Sequence, residues 1–218
     1  MNEISVKFCG LKTLDDVAAA TEAQVDAIGL VFVKKSPRYI SPEDAIELSI
    51  AAKQAGIVLV ALFANNQTST VEHVIQLIAP DVLQFHGNET AAFCEQFGRT
   101  YWKAVPMLED LDYQTYMDRY PTAQAFLLDA FGGRHTGGSG RSFKWFQLPK
   151  NKTPKLILAG GIKAENVAAA IAATGAQFID TSSGIESIPG VKSKTKMLAL
   201  MAQIKAINLN QENNPNNK

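Results

Sequence analysis

The chain is governed by a rhythm. Short, nearly uninterrupted apolar runs occupy residues 4–9, 27–33, 57–63, 82–85, 100–105, 125–128, 156–158 and 177–180. Apolar runs without polar alternation belong to strands buried on both faces, as in parallel sheets. Helix signals fill the intervals. Thr13 caps a segment with Asp15 and Asp16 in its first turn, and Ser41-Pro42-Glu43-Asp44 opens another that Gly56 stops. Further helices are expected over 68–78, 89–97, 108–119, 164–173 and 194–207. About eight strand–helix alternations in 218 residues predict an α/β fold, a single (β/α)8 TIM barrel. Between the sixth and seventh strands a glycine-rich stretch (130–142) leaves room only for Phe143-Lys144-Trp145-Phe146, so the sixth helix is expected to be short or irregular. The barrel domain is read as 1–207. The Asn-rich tail 208–218, with Leu209 as its sole large apolar residue, is expected to be disordered.

Charge and composition narrow the function. Lys+Arg and Asp+Glu both number 21, so no basic field is available for nucleic acid or an anionic membrane. The apolar runs are far shorter than the roughly 20 residues of a membrane span. The first ten residues lead into a strand without a signal-peptide pattern, and the two cysteines, Cys9 and Cys94, sit in different contexts. A reducing cytoplasm is the expected compartment.

In a barrel of this kind chemistry gathers at the C-terminal ends of the strands. There the seventh and eighth runs end in Gly160-Gly161 and in Ser182-Ser183-Gly184. Small residues at two adjacent strand edges let backbone N–H groups approach an anion, which suits a phosphate cup. Cys9 ends strand one. It reads either as a small buried hydrophobe or as a general base whose thiol is lowered by Lys7, two residues earlier on the same face. Asp129 ends strand six, as a turn residue or as a proton donor. His86 ends strand four with Gln84 on its inward face, bonding a backbone carbonyl or a ligand. Arg38 follows Lys34-Lys35-Ser36-Pro37 and reads as a solvated basic loop or as a guanidinium stiffened by Pro37 to hold a carboxylate. Cys94 fits core packing, and His73 and His135 read as helix-surface and loop residues. No metal-ligand spacing occurs, and no Walker pattern. The 130–142 loop is long enough to be read as a lid. By parity Lys7 and Asp180 both point into the barrel, where an unpaired charge is costly, so they are expected to pair.

These pieces resemble the phosphoribosylanthranilate isomerase family of tryptophan biosynthesis. The resemblance rests on Val6-Lys7-Phe8-Cys9-Gly10, Lys35-Ser36-Pro37-Arg38-Tyr39-Ile40-Ser41-Pro42, Leu83-Gln84-Phe85-His86-Gly87, Leu128-Asp129, Gly137-Gly138-Ser139-Gly140-Arg141-Ser142-Phe143, Leu158-Ala159-Gly160-Gly161 and Asp180-Thr181-Ser182-Ser183-Gly184-Ile185-Glu186, in that order. Phe8, Phe85, Arg141 and Lys144 depart mildly from the family's pattern. The resemblance implies Cys9 as general base, Asp129 as general acid, Arg38 as ligand of the anthranilate carboxylate, and Gly160, Gly161, Ser182, Ser183 and Gly184 as the phosphate cup, with His86 a further substrate-binding candidate. It implies an Amadori rearrangement of N-(5-phosphoribosyl)anthranilate, with no cofactor and no metal, in a cytoplasmic enzyme expected to be a monomer. Two other readings stand beside it. An indole-glycerol-phosphate synthase would want a strand-end Lys and a Glu partner where Cys9 and Asp129 stand. A sugar-phosphate sensor on the same fold would bind without turnover.

Overall fold

The computed structural model describes residues 3–106, 112–129 and 155–212. Its eight parallel strands are β1 (Ser5–Cys9), β2 (Ala27–Val31), β3 (Val58–Phe63), β4 (Val82–Phe85), β5 (Tyr101–Pro106), β6 (Ala125–Asp129), β7 (Lys155–Ala159) and β8 (Phe178–Thr181). They form a closed barrel in chain order, sealed where β1 pairs with β8 in the register Lys7↔Asp180. The helices are α1 (Leu14–Ala23), α2 (Ala45–Gln54), α3 (Thr68–Ile78), α4 (Ala91–Glu95), α5 (Tyr113–Met117), α6 (Val167–Thr174) and α7 (Lys194–Glu212).

Strand parity divides the apolar residues into two regions. Ala27, Val60, Val82, Trp102, Ala104, Ala125, Leu127, Ile157, Ala159 and Phe178 pack inside the barrel. Their outward neighbours, among them Val6, Phe8, Ile28, Leu30 and Phe126, meet the helices in the larger core. Phe8 and Phe85 both belong to that outer core and are fully buried. Each fully buried side chain of this size contributes roughly 1.5–3 kcal/mol.

Local signals account for several helix starts. Thr13 Oγ1 accepts from the Asp16 amide at 3.1 Å while Asp16 Oδ2 accepts from the Thr13 amide at 3.2 Å, a reciprocal capping box. The expected start at Ser41 is a turn: Ser41 Oγ accepts from the Asp44 amide, and regular α-helix begins at Ala45. The expected helix 89–97 shrinks to Ala91–Glu95 because Thr90 caps it and Glu89 turns inward, 6% exposed. The last helix is longer than expected. Asn208 to Glu212, read from sequence as disordered tail, continue α7, where Asn208 Oδ1 accepts from the Ile4 amide at 3.1 Å. The expected sixth helix, the 130–142 loop and residues 213–218 lie outside the described residues.

Between β8 and α7 stands a feature the sequence reading did not foresee. A 3-10 turn (Ser183–Ile185) leads into an antiparallel ribbon, β9 (Glu186–Ile188) and β10 (Val191–Lys192), which turns at Pro189-Gly190.

A second buried polar group fixes the loop after β4. Lys103 points outward from β5 and is fully buried. Its Nζ donates to the carbonyls of Gly87 at 2.7 Å and Phe85 at 3.3 Å, and lies 3.5 Å from Glu89 Oε2. Glu89 in turn accepts from the amides of Asn65 and Gly87, at 2.7 and 2.9 Å. Removing one partner of such a cluster leaves the others buried and unpaired. Lys103→Met should therefore lower unfolding free energy by about 3–5 kcal/mol in urea titration, and an unchanged midpoint would show that the cluster contributes nothing.

Candidate active site

At the C-terminal mouth of the barrel lies a cavity of about 570 Å³, lined by Cys9, Arg38, His86, Gly160, Gly161, Asp180, Ser182 and Ser183 among others, with Val31 and Leu62 as apolar wall. That volume falls in the usual range of roughly 300–1,000 Å³ for small-molecule sites. Six loops and strand ends, distant in sequence, thus deliver their small or polar residues to one space.

Cys9 ends β1, 4% exposed. Its side chain and that of Lys7 meet over Gly29 on β2: a Cβ there would lie 2.9 Å from both Cys9 Sγ and Lys7 Cε. Lys7 Nζ donates to Asp180 Oδ1 at 2.6 Å inside the barrel, the pairing that parity predicts. The expected lowering of the Cys9 thiol is not what the environment produces. Burial pushes the thiol up and Asp180 adds to it, outweighing the opposing charges of Lys7 and Lys192. Lys7 itself is raised: burial alone would lower it, but Asp180 and Cys9 overcome that.

Arg38 reaches the cavity from the loop after β2. Gly10, at φ +80°, leaves space for it, since a Cβ there would press on Arg38 Cδ at 2.7 Å. Its guanidinium is not the freely solvated group of a basic loop. Nε and Nη2 donate in a fork to Glu186 Oε1 and Oε2, at 2.7 and 2.8 Å. The side chain keeps 25% exposure while Glu186 keeps 4%.

His86 and Gln84 share the inward face of β4, with Gln84 Nε2 3.2 Å from His86 Nδ1. Gln84 Oε1 is buried with no hydrogen-bond partner among the described residues.

Of the residues expected to form an anion cup, Gly160, Gly161, Ser182 and Ser183 come together on the cavity wall. Gly160 and Gly161 both hold positive φ, 90° and 60°, which turns the chain sharply at the end of β7. Ser182 Oγ donates to the Cys9 carbonyl at 2.8 Å, tying the cup to the thiol strand. Gly184 is the exception. It sits in the 3-10 turn and is not among the cavity-lining residues; a Cβ there would collide with the Ile162 carbonyl, a packing reason for its lack of a side chain. Asp129 closes β6 in backbone register with Ala159, itself on the cavity wall.

Two residues escaped the sequence reading as site members, Glu186 and Lys192. Lys192 Nζ donates to Glu186 Oε1 at 2.8 Å and to the carbonyl and hydroxyl oxygens of Ser182 at 3.1 and 3.2 Å. The signal that could have found them is Pro189-Gly190, a tight-turn dipeptide that sets short strands back to back. Among the described residues no group of three or more His, Cys, Asp or Glu could hold a metal ion.

A closed parallel barrel with a thiol, a fixed guanidinium and a glycine–serine rim around one cavity defines a (β/α)8-barrel enzyme acting on a small molecule. Comparison with known proteins makes the class specific. The family model for N-(5'phosphoribosyl)anthranilate (PRA) isomerase matches residues 6–203. An N-(5'-phosphoribosyl)anthranilate isomerase from Cellvibrio japonicus is 42% identical over 90% of this chain and 91% of its own. One from Nitrosococcus oceani is 38% identical over 93% and 98%. The solved phosphoribosyl anthranilate isomerase of Thermotoga maritima superposes with a TM-score of 0.82 at 31% identity, covering 93% of this chain and 99% of its own. A solved phosphoribosyl anthranilate isomerase in complex with reduced 1-(o-carboxyphenylamino)-1-deoxyribulose 5-phosphate gives 0.79 at 29% identity, over 93% and 99%. The chain belongs to the N-(5'-phosphoribosyl)anthranilate isomerase family.

The raised thiol has a direct chemical readout. Iodoacetamide should alkylate Cys9 slowly near pH 7, with a rate that rises only as pH passes the ordinary thiol value of 9.0. Cys94, fully buried in the outer core and pushed up to about 12, should stay unmodified over the same range. A Cys9 rate already on its plateau at pH 7 would show a lowered thiol instead.

Proposed function

We propose that this enzyme converts N-(5'-phosphoribosyl)anthranilate to 1-(2-carboxyphenylamino)-1-deoxyribulose 5-phosphate, with Cys9 as general base and Asp129 as general acid. The observation that carries the reading is one cavity shared by the Cys9 thiol, the Arg38 guanidinium and the Gly160-Gly161 and Ser182-Ser183 rim. The substrate has the matching groups: a carbon acid, a carboxylate and a phosphate.

The rearrangement needs one proton given and one taken. Asp129 protonates the furanose ring oxygen, the C1–O bond breaks, and the nitrogen lone pair forms an iminium at C1. The Cys9 thiolate removes the proton from C2, and the electron pair of that C–H bond neutralises the iminium to give an enolamine. Protonation at C1 and loss of the O2 proton then yield the ketose. C2 is oxidised and C1 reduced within one molecule, so the balance needs no outside oxidant or reductant. The thiol's burial fits this order of events. A positive iminium beside Cys9 adds to the charges of Lys7 and Lys192, and so favours thiolate once the ring has opened. The phosphate rests at the glycine–serine rim, and the Arg38 guanidinium takes the carboxylate.

Among the described residues no helix is long and apolar enough to cross a membrane. Cys9 and Cys94 are both free thiols, which fits a reducing cytoplasm. We read the chain as a monomer; one Thermotoga maritima relative has been solved as monomers generated from a dimeric enzyme.

The test is turnover of N-(5'-phosphoribosyl)anthranilate by the purified protein without added metal or nucleotide. Cys9→Ala and Asp129→Asn should each lower kcat by about 10²–10⁴-fold while substrate still binds. Arg38→Ala should mainly raise KM, because the carboxylate is present in ground and transition states alike. Because the thiol is raised, kcat/KM should climb with pH on its acid limb as thiolate forms. Cys9→Ala within tenfold of the parent would remove Cys9 as the base.

A further inference from the structure

Arg38, Glu186 and Lys192 form one polar chain, buried at Glu186 and Lys192 and part-exposed at Arg38. Glu186, 4% exposed, accepts the fork of Arg38 on one side and the ammonium of Lys192 on the other. Lys192 is 1% exposed and ties the chain to Ser182, whose hydroxyl donates to the Cys9 carbonyl. The charges decide what this arrangement can do. Arg38 and Glu186 alone sum to zero, and a guanidinium neutralised by a bidentate carboxylate is a poor ligand for a second carboxylate. With Lys192 the three groups sum to one positive charge, and Glu186 is shared between two cations.

We propose that Lys192 is a positioning residue for substrate binding: by sharing Glu186 it leaves Arg38 both locked in place and net cationic toward the substrate's carboxylate. This rests on the reading of Arg38 as the carboxylate ligand. The titration behaviour of the trio agrees. Burial pushes the Glu186 carboxyl up, yet hydrogen bonds from Arg38 and Lys192 overcome it and hold it below the usual carboxylate range. Burial draws Lys192 down, and Glu186 only partly offsets that. A simple alternative is that Lys192 braces the ribbon by its bonds to Ser182, or serves the phosphate end directly.

Steady-state kinetics with N-(5'-phosphoribosyl)anthranilate on the full chain separate these. Lys192→Met removes the charge and should raise KM about tenfold or more, with a much smaller change in kcat. Lys192→Gln loses the same charge but keeps hydrogen-bonding capacity toward Ser182, and should raise KM alike; it also serves if the Met variant fails to fold. The decisive variant is Lys192→Met with Glu186→Gln, which restores a net charge of one on the trio and should recover most of the lost KM. Competitive inhibition by inorganic phosphate should move far less than KM in the single variants. A double variant no better than Lys192→Met, or a phosphate inhibition constant that shifts as much as KM, overturns the proposal. If Arg38→Ala leaves KM unchanged, the fault lies in the assignment of Arg38 itself. If Arg38→Ala raises KM while neither Lys192 variant does, Lys192 has no such role.

Discussion

The buried pair between Lys7 and Asp180 underlies the rest of the structure. It joins β1 to β8, the first strand to the last, at the seam that closes the barrel. Two charges inside a barrel of Ala, Val, Ile and Trp side chains would each be expensive to leave alone. Their attraction offsets that cost only in this register, because a shift of one residue would turn one of them outward into the helix layer. A hydrophobic pair could seal the barrel as well or better. A charged pair also forbids the slipped register, and it sets the potential around the thiol two residues further along β1.

That potential is a balance of opposing effects. Burial and Asp180 raise the Cys9 thiol, while Lys7 and Lys192 lower it. A thiol held above neutrality is largely protonated and inert in the empty site, which protects it from adventitious oxidation or alkylation. The charge that develops on the substrate during ring opening then shifts the balance at the time the base is needed.

The barrel was legible in the sequence because its strands are apolar on both faces and some of its helices carry local caps. The third helix and fourth strand agree with the expected bounds, and the Thr13 cap forms as read, with Asp16 completing a capping box. Cys9, Arg38, His86 and the glycine–serine edges could be collected because barrel topology says where strand ends go. What could not be read depends on tertiary burial. Glu89 scans as a helix-starting acid, yet the ammonium of Lys103 pulls it inside. Parity revealed Lys7 beside Cys9, but not that desolvation would win over its charge. Lys192 stands among Val, Ser, Lys and Thr residues and reads as an ordinary surface lysine. Only the two-residue strand Val191–Lys192, folding back on Glu186, takes its ammonium out of water.

The position of that ribbon late in the chain has a consequence for biosynthesis. Arg38 emerges from the ribosome early, but the carboxylate that fixes it and the lysine that shares that carboxylate belong to residues 186 and 192. The seam at Asp180 closes in the same stretch. A nascent chain that ends before Asp180 lacks both the partner of its Lys7 and the clamp on its guanidinium. The buried charge of β1 and the guanidinium of the loop after β2 thus both depend on contacts that only the stretch from Asp180 to Lys192 can supply.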